Sequence, residues 1–173
     1  TGENVTMLCA GGWHVGNARE SEVPAIIEAA LEGGIRFFDT AWEYQGGVSA
    51  ERLGRHLIPR YREDIFLMSK IMAGTRAQAQ AQLDASLRRL RTDHLDLLMM
   101  HAVGSDPAFT DRLQGGVLDF MLNLKATGVV RHIGFSGHAR AASHLAFLQQ
   151  LGDDDPLSVC LLPVNPVDAA KSD

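Results

Sequence analysis

Short apolar runs recur along the chain at intervals of about 30 residues, the size of one strand plus one helix. Six such runs begin near Val5, Ile35, Ile65, Leu95, Arg131 and Ser158. Some of them, such as "IFLMSK" and "LDLLMM", are apolar at nearly every position. Strands that are buried on both faces of a parallel sheet have this continuous pattern. The runs therefore predict six parallel strands.

The segments between the runs have the periodicity of amphipathic helices. In segment 20–34, for example, Val23, Ile27 and Leu31 share one helical face, and Gly33 provides a C-terminal stop. Five helices are predicted in this way, over residues 20–34, 49–61, 75–90, 115–128 and 139–152. Pro59 is expected to end or kink the second helix, because proline lacks the amide that continues a helix.

Alternating strands and helices fit two architectures. One is a (β/α)8 TIM barrel, incomplete here, and the other is an open doubly wound sheet that binds a dinucleotide. The glycine-rich segment "AGGWHVGN" after the first strand, followed by the acidic Asp39, loosely fits the dinucleotide site of the open sheet. However, Gly11, Gly12 and Gly16 do not form the G-x-G-x-x-G fingerprint. The sequence therefore favours the incomplete barrel.

Composition narrows the classes of function. The chain has 173 residues, of which 46% are hydrophobic and 21% charged, and its net charge is −5. This balance argues against nucleic acid or an anionic membrane surface as a partner, because both call for a basic patch. No apolar run approaches the roughly 18 residues that span a bilayer. We expect a single cytoplasmic domain over residues 1–173.

Polar residues stand at the carboxyl end of every predicted strand. In chain order these are Trp13 and His14 after the first strand, then Asp39, Lys70, His101, the group Ser136, Gly137 and His138, and finally Asn165. In a parallel barrel these ends converge on one face, where active sites lie. A buried carboxylate requires a cationic partner. Lys70 is therefore the expected partner of Asp39.

The polar set at the strand ends can support proton transfer to a carbonyl oxygen. The phenol of Tyr44 has an ordinary pKa near ~10, which a neighbouring Lys70 ammonium is expected to lower. Asp39 would hold Lys70 charged and oriented. A neutral His101 would donate a hydrogen bond to the carbonyl oxygen. Because no side chain supplies a hydride, this chemistry implies a nicotinamide cofactor.

Four segments resemble the aldo-keto reductase family. "GIRFFDTAWEYQGGVSAERLG" resembles its signature around the catalytic Asp and Tyr, and "FLMSK" its catalytic-Lys strand. "HLDLLMMH" resembles the strand that ends in the catalytic His, and "KATGVVRHIGFSGH" the cofactor segment of a bacterial branch with "GF(S/T)GH". The resemblance to this branch extends to Pro163, Asn165 and Asp168. The matching segments follow the order of the family along the whole chain.

The resemblance implies a role for each catalytic residue. Tyr44 would be the general acid, Lys70 and Asp39 would tune it, and His101 would orient the substrate carbonyl. The implied reaction is the NADP(H)-dependent reduction of an aldehyde or ketone, without a metal. The partner would thus be a small-molecule carbonyl compound.

The resemblance also implies binding residues. The cofactor would contact Gly12, Trp13, Asp39, Ser136 and Gly137, and the substrate pocket would be lined by Trp13, His14 and Trp42. Many family members have an Asn where this chain has Gly137, and a Gln where it has Leu161. Two amide contacts to the nicotinamide are therefore expected to be missing.

Two other functions stay open from the sequence. A (β/α)8 barrel typically needs about 250 residues, so we expect a piece of a longer chain, the N-terminal two-thirds of a barrel. Its unpaired first and sixth strands could promote self-association. One alternative is a catalytically inactive barrel fragment with a binding or assembly role. The other is a metal-dependent hydrolase with His14, His101, His138 and Asp39 as ligands.

Overall fold

The computed structural model describes residues 2–104, 109–151 and 156–164 and contains one sheet of six parallel strands. The strands are β1 (Cys9–Gly11), β2 (Phe37–Asp39), β3 (Phe66–Ile71), β4 (Leu95–Met100), β5 (Val130–Ser136) and β6 (Val159–Leu161). They lie side by side in chain order. A doubly wound sheet reverses its strand order at a switch point, so this order excludes that alternative. The predicted incomplete barrel is confirmed.

Eight α-helices cover the described part of the sheet. They are α1 (Gly12–Asn17), α2 (Val23–Glu32), α3 (Val48–His56), α4 (Ile58–Tyr61), α5 (Arg76–Leu90), α6 (Phe109–Gln114), α7 (Val117–Ala126) and α8 (Ala141–Leu151). The helix predicted over 49–61 is interrupted at Leu57, as expected from Pro59. Helices α1 and α6 are not indicated by the sequence pattern.

The first strand begins later than the apolar run predicts. The run starts near Val5, whereas β1 starts at Cys9. Before β1, the Thr6 hydroxyl oxygen accepts the amide hydrogens of Arg36 and Phe37, at 3.2 Å each. A side chain therefore takes the place of the backbone ladder there. The predicted end of the last strand, Asn165, lies outside the described residues, as does Asp168.

Apolar side chains from alternate strand positions fill the barrel side of the sheet. The buried Met68, Leu97 and Met99 form this layer, and Phe37, Phe66 and Val159 pack against it. The intervening residues of β3 and β4 face the helices in the larger core. Side chains two positions apart on a strand share one face. The residue that follows each member of the apolar layer by two positions therefore also faces the barrel interior.

Helices α3 and α5 cross at Gly54, where no side chain fits. A Cβ atom built on Gly54 would lie 2.0 Å from the backbone oxygen of Arg89. We expect Gly54→Ala to lower the free energy of unfolding by about 1–3 kcal/mol, because the helices would have to separate. Urea denaturation measures this loss. Gly11→Ala is the control, since Gly11 has φ −76° and open space around it; equal losses in both variants would contradict the packing explanation.

Candidate active site

The polar residues at the strand ends form a second layer above the apolar layer. Asp39 follows Phe37 by two positions, Lys70 follows Met68, and His101 follows Met99. The alternation of each strand therefore directs these polar side chains into the barrel interior. Because β2, β3 and β4 are neighbours in the sheet, Asp39 and Lys70 come into contact, and His101 lies against the ring of Tyr44, which Lys70 also contacts.

Lys70 is the centre of the site. Its side chain is 1% exposed. Its Nζ donates hydrogen bonds to Asp39 Oδ2 at 2.5 Å, to Tyr44 Oη at 3.0 Å and to the carbonyl oxygen of Thr40 at 3.1 Å. Burial lowers the pKa of Lys70, but the attraction of Asp39 and Tyr44 outweighs it, so the pKa lies above its ordinary value. The ammonium is thus retained at neutral pH with all three protons in use.

Asp39 connects the ion pair to helix α1. Its Oδ1 accepts a hydrogen bond from the backbone amide of Gly12 at 2.9 Å, while its Oδ2 accepts one from the Lys70 ammonium. A Cβ atom on Gly12 would lie 2.1 Å from the backbone oxygen of Asp39, so α1 can begin this close to β2 only with glycine. The predicted pairing of Asp39 with Lys70 is present, and Gly12 contributes by holding the carboxylate.

Tyr44 begins a 3-10 turn, Tyr44–Gly47, in the loop that follows β2. The turn is made by left-handed φ angles of 49° at Gln45, 67° at Gly46 and 101° at Gly47. The Tyr44 ring makes edge contacts with Trp13, at 5.2 Å between ring centroids, and with His101, at 5.8 Å. These contacts hold the phenol beside the Lys70 ammonium.

Burial raises the pKa of Tyr44, and the Lys70 ammonium opposes this effect without cancelling it. The predicted lowering of the pKa by Lys70 is present, but burial, which the sequence does not reveal, makes the net shift upward. The reason is that desolvation of the half-buried phenol disfavours its anion more strongly than one cation favours it. Tyr44 is accordingly protonated at neutral pH, the state that a proton donor needs.

Two residues that the sequence analysis did not select hold His101. The carboxylate of Glu43 contacts Nδ1 of the His101 ring. Arg112 donates to the backbone oxygen of His101 at 2.5 Å. Glu43 could have been noticed, because it is the residue before Tyr44 in the quoted "WEY" segment. Nothing in the sequence pattern indicates Arg112.

A cavity of about 280 Å³ opens beside these groups. Its walls are Tyr44, Lys70, His101, Ser136, His138, Leu161, Leu162 and Pro163. The hydroxyl of Ser136 is buried and has no hydrogen-bond partner among the described residues. Four of the predicted catalytic and cofactor-binding residues, Tyr44, Lys70, His101 and Ser136, therefore border this space. A fifth, Asp39, holds Lys70.

The other predicted site residues lie around this cavity without lining it in the described part of the chain. Trp13 is 52% exposed next to Tyr44. His14 is exposed on α1, and Trp42 is half-buried, with its carbonyl oxygen accepting a hydrogen bond from Arg89. Gly137 is buried, and its backbone amide donates a hydrogen bond to the backbone oxygen of Leu161 at 3.2 Å. Of these four residues, Trp13 is the one with a ring contact to Tyr44 in the described structure.

The ligand set of the metal-hydrolase alternative is not assembled. His14 and His138 are both exposed, whereas Asp39 is committed to Lys70 and the amide of Gly12. Among the residues that the structure describes, no three His, Cys, Asp or Glu side chains are grouped so that they could hold a metal ion. Within the same residues, every helix is too short or too polar to cross a membrane.

A parallel sheet in barrel order, with its polar groups gathered at the carboxyl ends of the strands, defines a (β/α)-barrel protein. Within that class, the model of the aldo/keto reductase family matches residues 7–171, and the chain belongs to that family.

Curated relatives and a solved structure are consistent with this assignment. The chain is 37% identical to methylglyoxal reductase YeaE of Escherichia coli, over 73% of this chain and 43% of that protein. It is 33% identical to methylglyoxal reductase DkgA of Salmonella typhimurium, over 77% and 46%. An aldo-keto reductase from Klebsiella pneumoniae, solved in complex with NADPH, superposes with a TM-score of 0.75 at 28% identity, over 90% of this chain and 53% of that one. The chain thus spans about half of the length of these relatives.

Proposed function

We propose that this chain provides the proton-transfer centre of an NADP(H)-dependent reductase of aldehydes or ketones. The observation that carries the proposal is the hydrogen bond of 3.0 Å between Lys70 Nζ and Tyr44 Oη at the edge of the cavity. A phenol next to a fixed ammonium can release its proton and be stabilised as the anion that remains. A phenol in a structural role has no need of a buried cation.

Each residue of the centre has a defined task in this proposal. Tyr44 donates its proton to the carbonyl oxygen as negative charge develops there. Lys70 stabilises the tyrosinate that forms, and Asp39 keeps Lys70 charged and aimed. His101 lines the same cavity and donates a hydrogen bond to the carbonyl oxygen, which fixes the orientation of the substrate. Burial of the Lys70–Asp39 pair strengthens these interactions, since water does not screen them.

The residues present fit a nicotinamide cofactor in part. NADPH would supply the hydride that no side chain provides. The buried hydroxyl of Ser136 has an unused hydrogen-bonding capacity at the cavity, as a contact to a carboxamide requires. Trp13, half-exposed against Tyr44, offers an aromatic surface. Gly137 and Leu161 have no side-chain amide to offer, so Ser136 is the principal polar contact that we propose.

We propose a small carbonyl compound as the substrate. The cavity volume of about 280 Å³ accommodates a small molecule. The relatives named as methylglyoxal reductases suggest a short ketoaldehyde as the first compound to test. The aldehyde oxygen would lie between Tyr44 and His101, which are neighbours in the cavity wall.

Titration with NADPH tests the proposal. The two tryptophans of the chain are Trp13 and Trp42, so saturable quenching of tryptophan fluorescence would report binding near the site. The titration is made on the 173-residue chain and on an extended chain that carries the C-terminal part of a relative after residue 173. We expect the extended chain to bind NADPH and to oxidise it only when methylglyoxal is added. An extended chain that folds but neither binds nor oxidises NADPH would contradict the proposal and favour a binding or assembly role.

A further inference from the structure

Glu43 and His101 form a partly buried carboxylate–imidazole contact beside the cavity. The two side chains are 27% and 12% exposed, and the carboxylate meets Nδ1 of the imidazole. The second carboxylate oxygen, Oε2, is buried without a partner among the described residues. Nε2, the second ring nitrogen, also lacks a hydrogen-bond partner in the described part of the chain, although His101 lines the cavity.

This contact restricts where the protons of His101 can be. A carboxylate only accepts hydrogen bonds, so Nδ1 must carry a proton to bind Glu43. A neutral imidazole has a single ring proton, which would then be on Nδ1. Nε2 would be an acceptor in that state, and it would repel a carbonyl oxygen. Only the imidazolium has a proton on each nitrogen and can contact Glu43 and a carbonyl oxygen together.

The remaining possibility is a protonated Glu43 that donates to Nδ1. Burial raises the pKa of Glu43, but the hydrogen bond and charge of His101 more than compensate, so that the pKa lies below its ordinary value. The carboxylate form is therefore the preferred one next to this ring.

Other titratable groups surround the Glu43–His101 pair. Lys70 attracts the Glu43 carboxylate, and the phenol of Tyr44 is an uncharged edge contact of the His101 ring. Arg112 reaches the backbone oxygen of His101 rather than its ring. His138 lines the same cavity from the turn after β5. Glu43 is thus the only carboxylate in contact with the His101 ring among the described residues.

We infer that Glu43 is a positioning residue, which holds His101 as an imidazolium whose Nε2–H faces the cavity and binds the carbonyl oxygen of the substrate. The inference rests on the proposed function for the identity of the acceptor. It makes the hydrogen bond from His101 charge-assisted, which is roughly twice as strong as a neutral one. The developing alkoxide would then be stabilised by a full positive charge in addition to the Tyr44 proton.

Nitrogen-15 NMR of the histidine rings tests the proton positions without any need for activity. The chain has seven histidines, and His101→Asn identifies the signals of His101. At neutral pH we expect both ring nitrogens of His101 to be protonated in the wild-type chain. In Glu43→Gln, which keeps the shape but removes the charge, we expect a neutral ring. A proton on Nε2 alone in the wild type, or identical His101 signals in both chains, would overturn the inference.

Kinetics of the extended chain connect this state to the reaction. Carboxylates that orient histidines at metal sites typically contribute about 10- to 100-fold to activity. We expect Glu43→Gln to lower kcat by a similar factor. The affinity for NADPH should be unchanged. Glu43→Asp should recover part of the rate. Glu32→Gln, the same change on an exposed residue of α2, is the matched control. An unchanged kcat in Glu43→Gln would contradict the positioning role.

The two proposals can fail separately. A wild-type chain with imidazolium signals for His101 but no reductase activity after extension would contradict the proposed function and would support the proton assignment to the pair. An active reductase whose His101 is neutral would support the proposed function and contradict the proton assignment.

Discussion

Tyr44→Phe in the extended chain is expected to reduce carbonyl reduction by about 100- to 10,000-fold, the usual contribution of a positioned general acid. Phenylalanine preserves the edge contacts with Trp13 and His101, so the walls of the cavity stay in place. It removes the one proton that lies next to both Lys70 and the cavity. The measurement is the steady-state rate of NADPH oxidation with methylglyoxal.

The chain offers a matched control for this substitution. It has two tyrosines, and the second, Tyr61, contacts Glu28 at 3.3 Å on the outer helices. Tyr61→Phe removes the same atom far from the cavity and should leave the rate unchanged. NADPH should still quench tryptophan fluorescence in Tyr44→Phe. Full activity of Tyr44→Phe would assign the proton donor to another group.

Asp39→Asn is expected to lower the free energy of unfolding by about 3–5 kcal/mol at neutral pH, because it leaves a buried cation without its counter-charge. Lys70 would keep only the neutral acceptors Thr40 and Tyr44. Urea denaturation at about pH 7 gives the loss directly. In the double variant Asp39→Asn with Lys70→Met neither position carries a charge, so no unpaired charge is buried there and part of the stability should return. No recovery in the double variant would show that the loss has another origin.

The contribution of Lys70 to stability should change with pH in opposite directions in the single variant Asp39→Asn and in the wild type. In the wild type the pKa of Lys70 is raised above its ordinary 10.5. The stability from this group is therefore complete below pH 10.5 and is lost as the pH rises through the folded-state value. In Asp39→Asn, burial dominates and lowers the pKa of Lys70. The variant should then become more stable as the pH rises towards 10.5, since the unfolded chain binds the extra proton.

The middle of the sheet could be predicted from the sequence to within one residue. The runs near Ile65, Leu95 and Arg131 became strands that begin at Phe66, Leu95 and Val130. These strands pack against a layer on each face, and continuous apolar character is the direct mark of that environment. At the edge strand β1 the apolar run was misleading: the predicted start at Val5 was wrong, because the apolar side chains before Cys9 are exposed and do not pack in the core.

Helix α1 shows why some elements could not be predicted. Its six residues include two glycines and are too few to form a stable helix alone. It is held by the Asp39 carboxylate at its first amide and by Arg52, which donates to the backbone oxygens of Val15, Gly16 and Ala18 at its end. These partners are distant in the sequence, so local periodicity carries no information about them.

The candidate site also has one part that the sequence predicts and another that depends on the folded backbone. The meeting of Asp39 and Lys70 could be predicted because neighbouring parallel strands end at one face and a buried carboxylate requires a cation. The Glu43–His101 contact depends on the backbone of the segment after β2, where the turn at Tyr44–Gly47 uses three left-handed residues. Charge and spacing alone did not reveal it. The raised pKa of Tyr44 likewise depends on burial, which only the structure supplies.

The proposed proton-transfer centre draws on neighbouring strands that are also consecutive in the chain, with Asp39 on β2, Lys70 on β3 and His101 directly after β4. During translation the N-terminal parts of a protein leave the ribosome first. The Asp39–Lys70 pair can therefore form once β3 has emerged, and His101 can join it while β5 is still being made. A nascent chain would carry the charges of Asp39 and Lys70 already paired before β5, the strand that presents Ser136, has been made.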